Sequence, residues 1–310
     1  METGGFMKQS LRRIGALGGG AAMAAALVVV LTGATGSPLA SPLARARTAK
    51  PETFNKAVAA RFIRSSLRQL KTGGPMRVVR VIHGSGIHAT TSYSSTNWSG
   101  WAVDNSGGNT YTAVKANWVV PTTVCPAVSG YSLAAFWVGL DGFNNSTVEQ
   151  DGTISECHNG SYLGDANWWE MYPANAIQIG NTVTAGDHIS ASVVFNAKGK
   201  YVLKVVDHTA TAANLSKTQA CTSGCANASA EWIGEAPCCS SGSQVYPLNN
   251  FGKWKVTGAK ATSAGVSNPI SFYPNDVITM VNSTNTHPLA TPSALNSTGT
   301  SFTDKWNAAS

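Results

Sequence analysis

Charge is scarce in this chain of 310 residues: Asp, Glu, Lys and Arg make up 12% of it, about half the share usual in a soluble domain. That excludes a coiled coil or a charged, disordered hub. Several catalytic signatures are also missing. There is no His-Glu-x-x-His to hold zinc on a helix face and no Gly-x-Ser-x-Gly turn to present a nucleophilic serine. The Asp-Thr-Gly and Asp-Ser-Gly text of paired-aspartate enzymes does not occur. His83, His88, His158, His188, His208 and His287 are scattered, without metal-ligand spacing or a Ser/His/Asp pattern, and paired Cys-x-x-Cys zinc motifs are lacking. No metal or other cofactor is expected. What is abundant is glycine, at 31 residues, with 13 prolines and much Ser, Thr and Asn. That composition favours many turns and short strands over long helices.

The net charge of +7 hides an asymmetry. Residues 1–90 carry 13 Lys/Arg against 2 Asp/Glu, and residues 91–310 carry 9 against 13. The main body is mildly acidic and gains nothing from a phosphate backbone, so nucleic acid is not an expected partner. The basic part begins with Lys8, Arg12 and Arg13, followed by an uncharged run from Ile14 to Ala44 that is most apolar at Ala21–Leu31. That core is too short for a comfortable membrane span. The order of charged, apolar and small residues predicts a signal peptide over 1–46, cleaved within 34–46, and an exported, extracellular product without stable membrane association. Next, Phe54, Val58, Phe62, Leu67 and Leu70 recur at near-helical spacing among Lys56, Arg61, Arg64, Arg68 and Lys71. The reading is a short basic helix over Thr53–Lys71 in a pro-segment spanning 47–91, an intramolecular inhibitor of an acidic body held by charge and weakened by acid and salt.

From residue 92 to 310 the pattern has period two. Val114, Ala116 and Trp118 alternate with Lys115, Asn117 and Val119, while Ile189–Phe195 and Tyr201–Asp207 flank Asn196–Lys200 as a hairpin. Further strands are expected at Trp98–Val103, Leu133–Leu140, Thr147–Gln150, Asn167–Tyr172, Ala230–Gly234, Trp254–Thr257, Ile270–Tyr273 and Val277–Val281. The fold expected is all-β, an antiparallel β-sandwich. The six cysteines suggest disulfides in an oxidising compartment. Cys221 and Cys225 could close a small loop, and Cys125 and Cys157 could clamp the tryptophan-rich region. Cys238-Cys239 is either a vicinal pair or two separate bonds.

Aromatic and acidic residues gather in short blocks: Asn97–Gly100, Trp118–Pro121, Trp137–Gly142 running on to Gln150, Trp168–Pro173, and Ala230-Glu231-Trp232-Ile233. In this order, over roughly 94–285, they resemble the glutamic peptidases (eqolisins, family G1), secreted acid endopeptidases. The resemblance implies two curved sheets of the lectin–glucanase type and a catalytic dyad that falls on Gln150 and Glu231. It further implies pocket residues at Trp137, Asp141, Trp168 and Glu170, and polypeptides as substrates. Asp151-Gly152-Thr153 after Gln150, Trp169, and Met171 depart from the family's usual text, which bears on subsite preference.

The dyad is chemically sufficient. An ionised Glu takes a proton from water and returns it to the leaving amine. A Gln side chain both accepts and donates hydrogen bonds, so it can hold the water and then the oxyanion. Taken one by one, the residues also have plain readings. Gln150 is a solvated strand end, Trp137 and Trp168 are core, Asp141 before Gly142 is a turn residue, and Glu170 points outward from a strand. Two other functions fit such a sandwich: a glycoside hydrolase using Glu170 and Glu231, which leaves Gln150 without a task, and a carbohydrate-binding module, for which an inhibitory segment is unnecessary. A monomer is expected.

Overall fold

The computed structural model describes residues 70–71, 74–84, 90–178, 183–221, 224–239 and 244–310. The expected signal peptide and most of the expected basic helix fall outside these residues. In chain order the strands are β1 Leu70–Lys71, β2 Val78–Ile82, β3 Thr91–Ser95, β4 Trp98–Asp104, β5 Tyr111–Val119, β6 Tyr131–Leu140 and β7 Val148–His158. They continue as β8 Ser161–Tyr172, β9 Ile177–Gln178, β10 His188–Phe195, β11 Lys200–Asp207, β12 Leu215–Ala220, β13 Ser229–Glu235 and β14 Cys238–Cys239. The last are β15 Lys253–Ser263, β16 Val266–Pro269, β17 Asn275–Val281, β18 Pro288–Pro292 and β19 Phe302–Trp306.

These strands make two layers. The first sheet runs β2–β3–β17–β4–β13–β6–β7–β8–β9, antiparallel except where β17 lies parallel to β3. The second runs β12–β11–β10–β5–β15–β16. Strand β15 serves both layers. Its first half pairs with β19, and its second half pairs with β5 beyond a register shift between Thr257 and Lys260, where Gly258 takes φ +62. A bulge of this kind bends a strand from one layer into the next.

Alternation explains the layers. In β5, Val114, Ala116 and Trp118 face the space between the sheets, as do Leu203 and Val205 of β11 and Trp254 and Val256 of β15. The first sheet answers with Phe136, Val138, Trp232 and Trp169. Phe136 packs against both Phe251 and Trp254, with ring centroids 5.2 Å apart in each case. The first sheet is buried on its outer side too: Trp98, Ala102, Leu133, Trp137, Trp168 and Ile233 form a second apolar cluster there. Disulfides join Cys125 to Cys157 and Cys221 to Cys225, both pairings that spacing suggested.

Four expectations need correction. Ile270–Tyr273 is not a strand but a single 3-10 turn at Ile270–Phe272; Pro269 and Pro274 on either side remove the amides a ladder needs. Thr147–Gln150 and Asn167–Tyr172 are only the ends of the long strands β7 and β8. Their remaining turns of text were hidden because Asp151, Thr153, Ser155, Asp165 and Asn167 occupy buried positions where apolar residues would signal a strand. Leu70–Lys71, placed at the end of a helix, is instead a strand paired with Cys238–Cys239. The described part of the expected pro-segment holds the strands β1 and β2 and no helix, and β2 extends the first sheet beside β3.

Candidate active site

Register assembles the site. Glu231 on β13 pairs with Gly139 on β6, Gly139 pairs with Gln150 on β7, and Gln150 pairs with Glu170 on β8. Directly paired residues project to the same face. Glu231, Gln150 and Glu170 therefore stand in one row on the outer face of the first sheet, the face that carries Trp98, Trp137 and Trp168. The Cα atoms of Glu231 and Gln150 are two strand spacings apart, about 10 Å. Gly139 lies between them and has no side chain. A Cβ there would come within 2.7 Å of the Trp137 ring and 3.3 Å of Gln150 Cβ. The glycine thus lets the Trp137 ring lie close over β6, between the strands of the two polar side chains.

Each member has a definite surrounding. Gln150 Nε2 donates to Glu170 Oε2 at 3.0 Å, which fixes the amide's orientation. Trp137 Nε1 donates to Glu235 Oε2 at 2.9 Å, and its ring meets Trp98 edge-on at 4.9 Å. All of these side chains are buried. Burial pushes the Glu231 carboxyl well above the ordinary glutamate value; Asp141 and Glu149 push the same way, and the Ser229 hydroxyl pulls modestly back. Glu149, on the opposite face of β7, is raised to about 10 by burial and by Asp141 beside it.

Asp141 is placed differently from its neighbours in sequence. It takes φ 67 at the end of β6. Its Oδ2 accepts from the backbone N–H of Ala226 and Asn227 at 2.8 and 2.9 Å, and its Oδ1 from Ala228 N–H and Asn145 Nδ2, both at 2.7 Å. These bonds tie the loop after the Cys221–Cys225 bridge to the start of β13, the strand of Glu231. Trp137 and Trp168 lie in the row's apolar wall, and Glu170 holds Gln150. Sequence reading missed two members. Glu235 was legible as the same-face neighbour four residues after Glu231 on a strand. Gly139 offered no signal until the register put it between the dyad candidates.

The chain's own residues 74–77 pack against part of the outer face. Met76 N–H donates to Gly142 O at 3.0 Å, Asn97 Nδ2 donates to Pro75 O at 3.2 Å, and Arg77 N–H donates to Asn97 Oδ1 at 2.8 Å. The Met76 side chain packs on the outer apolar cluster, and a Cβ on Gly74 would lie 3.5 Å from the Tyr172 ring. Among the described residues no group of three or more His, Cys, Asp or Glu is arranged to hold a metal ion.

Comparison with known proteins bears on the same segment of chain. Residues 96–304 match the profile of the Peptidase A4 family. Among solved structures, scytalido-glutamic peptidase bound to a transition-state analogue inhibitor aligns at 23% identity and a TM-score of 0.57, over 68% of this chain and 98% of that one. SCP-B, an eqolisin bound to the tripeptide Ala-Ile-His, aligns at 20% identity and a TM-score of 0.53 over the same shares. Aspergilloglutamic peptidase from Aspergillus niger aligns at 25% identity and a TM-score of 0.47, over 56% of this chain and 99% of that one. A search of curated protein sequences found no match. The two fuller alignments agree with the sandwich described above, and the profile covers both β7 and β13; the chain belongs to the Peptidase A4 family, the glutamic peptidases or eqolisins.

Proposed function

We propose that this glutamic peptidase hydrolyses polypeptides in acid with Glu231 and Gln150 acting on one water molecule. The observation that carries the reading is the row Glu231–Gly139–Gln150. Glu231, ionised once residues 74–77 leave and solvent relieves its burial, removes a proton from the water as it attacks the peptide carbonyl, and then returns that proton to the departing nitrogen. Gln150, oriented by Glu170, donates to the oxygen on which negative charge develops. Substrate lies along the outer face against Trp137 and Trp168. Asp141 serves the site indirectly, by fixing the loop that leads into β13. The glycosidase alternative has no support in this geometry, because Glu170 is spent on Gln150 and stands three strand spacings, about 14 Å between Cα atoms, from Glu231.

We further propose that the chain is exported and that residues 47–91 hold it inactive. Residues 74–77 lie where an extended substrate would, on Gly142, Asn97 and the apolar wall. These contacts are neutral hydrogen bonds and apolar packing. They are indifferent to salt, and the salt-sensitive share of binding expected from charge rests on the segment's basic residues, Arg77 and Arg80 among them. The test is digestion of a denatured protein at acid pH by the processed wild type, Glu231→Gln and Gln150→Ala, with circular dichroism confirming the fold of each. Loss of nearly all cleavage in both variants supports the dyad. Near wild-type turnover in either refutes it.

A further inference from the structure

The charges of the body are segregated. All nine basic residues in 91–310 are lysines, and none lies on β3, β4, β6, β7, β8, β13 or β17, the strands around the catalytic row. Lys260, Lys115 and Lys204 fall in one row across β15, β5, β10 and β11, the β10 position being Ser192. Their chain neighbours Ala259, Ala261, Val114, Ala116, Leu203 and Val205 all face the space between the sheets. The lysines therefore project from the outer face of the second sheet, as does Lys255 between Trp254 and Val256. That is the opposite side of the sandwich from Glu231 and Gln150.

Two grooves run in series along this face and share Asn117 and Ser190. One, of about 440 Å³, is lined by Lys115, Lys204 and Lys260. The other, of about 790 Å³, is lined by Lys253, Lys255, His188 and His208. No carboxylate lines either groove. Between the ammonium groups stand neutral hydrogen-bonding side chains: Asn117, Ser190, Ser192 and Thr257. Ser190 Oγ donates to Asn117 Oδ1 at 2.7 Å and lies 2.7 Å from His208 Nε2. With its proton directed to Asn117, that hydroxyl is a recognition group and not an activated nucleophile.

We propose that this face is a docking surface for an anionic polysaccharide. Lysines one and two strand spacings apart, about 5 and 10 Å, alternate with hydroxyl and amide groups, which suits a polymer whose charges alternate with sugar hydroxyls. The one Trp, Tyr or Phe ring in the grooves, Trp118, is buried and offers no face for stacking a base, which leaves a single-stranded nucleic acid only charge and the imidazoles of His188 and His208 there. Docking by this face leaves the catalytic row turned away from the polymer and open to substrate. The inference stands on the second sheet alone and survives if the dyad assignment fails.

The experiment measures binding of the full chain to dextran sulfate, with neutral dextran and single-stranded DNA as comparisons. Lys115→Gln/Lys204→Gln/Lys260→Gln and Lys253→Gln/Lys255→Gln should each weaken dextran sulfate binding, the triple variant by about ten-fold, since an exposed ion pair contributes a few-fold at most. Both should keep the wild-type melting temperature. The corresponding Lys→Arg triple should bind as wild type does. Arg61→Gln/Arg64→Gln/Arg68→Gln, which removes charge from the N-terminal segment, should leave most of the binding intact. The proposal is overturned if dextran sulfate does not bind, or if the loss follows the Arg61 triple and not the lysines. Equal binding of neutral dextran, or DNA binding as tight and as lysine-dependent as that of dextran sulfate, overturns it as well.

Discussion

Asp304 gives the clearest quantitative handle on this fold. It is fully buried on β19, where its Oδ1 accepts from Ser99 Oγ at 2.8 Å. Its Oδ2 lies against Gly234, where a Cβ would come within 2.9 Å. Burial raises its pKa from 3.8 to about 7, with the Ser99 and Lys305 hydrogen bonds pulling back. Below pH ~4 the carboxyl is protonated whether the chain is folded or not, and stability is complete. As pH rises from ~4 through 7, the unfolded chain releases the proton while the folded chain holds it, and stability is lost. A shift of about 3 units at ~1.4 kcal/mol each costs roughly 4 kcal/mol. Asn accepts the same Ser99 bond without ionising. In an inactive Glu231→Gln background, to prevent self-digestion, Asp304→Asn should flatten the fall in melting temperature between pH 4 and 8 by roughly 8–16 °C. Asp165 and Asp276, each also raised to about 7 by burial, should leave a residual slope of the same sign. Parallel pH–stability curves for Asp304→Asn and its parent would refute the reasoning.

Gly139→Ala puts a Cβ 2.7 Å from the Trp137 ring and 3.3 Å from Gln150 Cβ, so the ring or the amide must shift: cleavage should fall about 100-fold or more and the melting temperature should drop while circular dichroism keeps the sandwich signature; unchanged turnover would show this spacing to be uncritical. Glu170→Ala removes the acceptor of the Gln150 Nε2 hydrogen bond, and kcat should drop more than KM rises, which steady-state kinetics on a peptide reads directly. Asp141→Ala strands the buried amides of Asn227 and Ala228, at about 1–3 kcal/mol each if neither finds another partner, and frees the more exposed amide of Ala226; thermal melting should record a large loss. Removing the Cys125–Cys157 bridge, whose cysteines are 32 residues apart, should cost about 3–4 kcal/mol by the loop-entropy estimate, measured by urea unfolding with Cys125→Ser/Cys157→Ser.

The sandwich was legible because β5, β10, β11 and β15 alternate apolar and polar residues with little interruption. The first sheet was harder to read. It is buried on both faces, so β6 shows no alternation, and β7 and β8 place acids and amides in the interior. The Gln150 and Glu231 pairing rested on resemblance, since neither residue type announces catalysis by itself. Register then supplied what a linear text cannot: Gly139 as the spacer, Glu170 as the partner of Gln150, and Asp141 as an anchor for a loop 85 residues further on. The strand at Leu70–Lys71 escaped because its partner, Cys238–Cys239, is remote in sequence and the local apolar spacing suits a helix.

The central claim is that the scissile carbonyl is attacked between Gln150 and Glu231. A crystal structure of the processed enzyme with a peptide carrying a tetrahedral carbinol in place of that carbonyl tests it most directly. The account predicts one carbinol oxygen within hydrogen-bond distance of both Gln150 and Glu231, with the peptide lying where residues 74–77 now run. A peptide bound with its carbinol out of reach of Gln150, or away from the outer face of the first sheet, would contradict it.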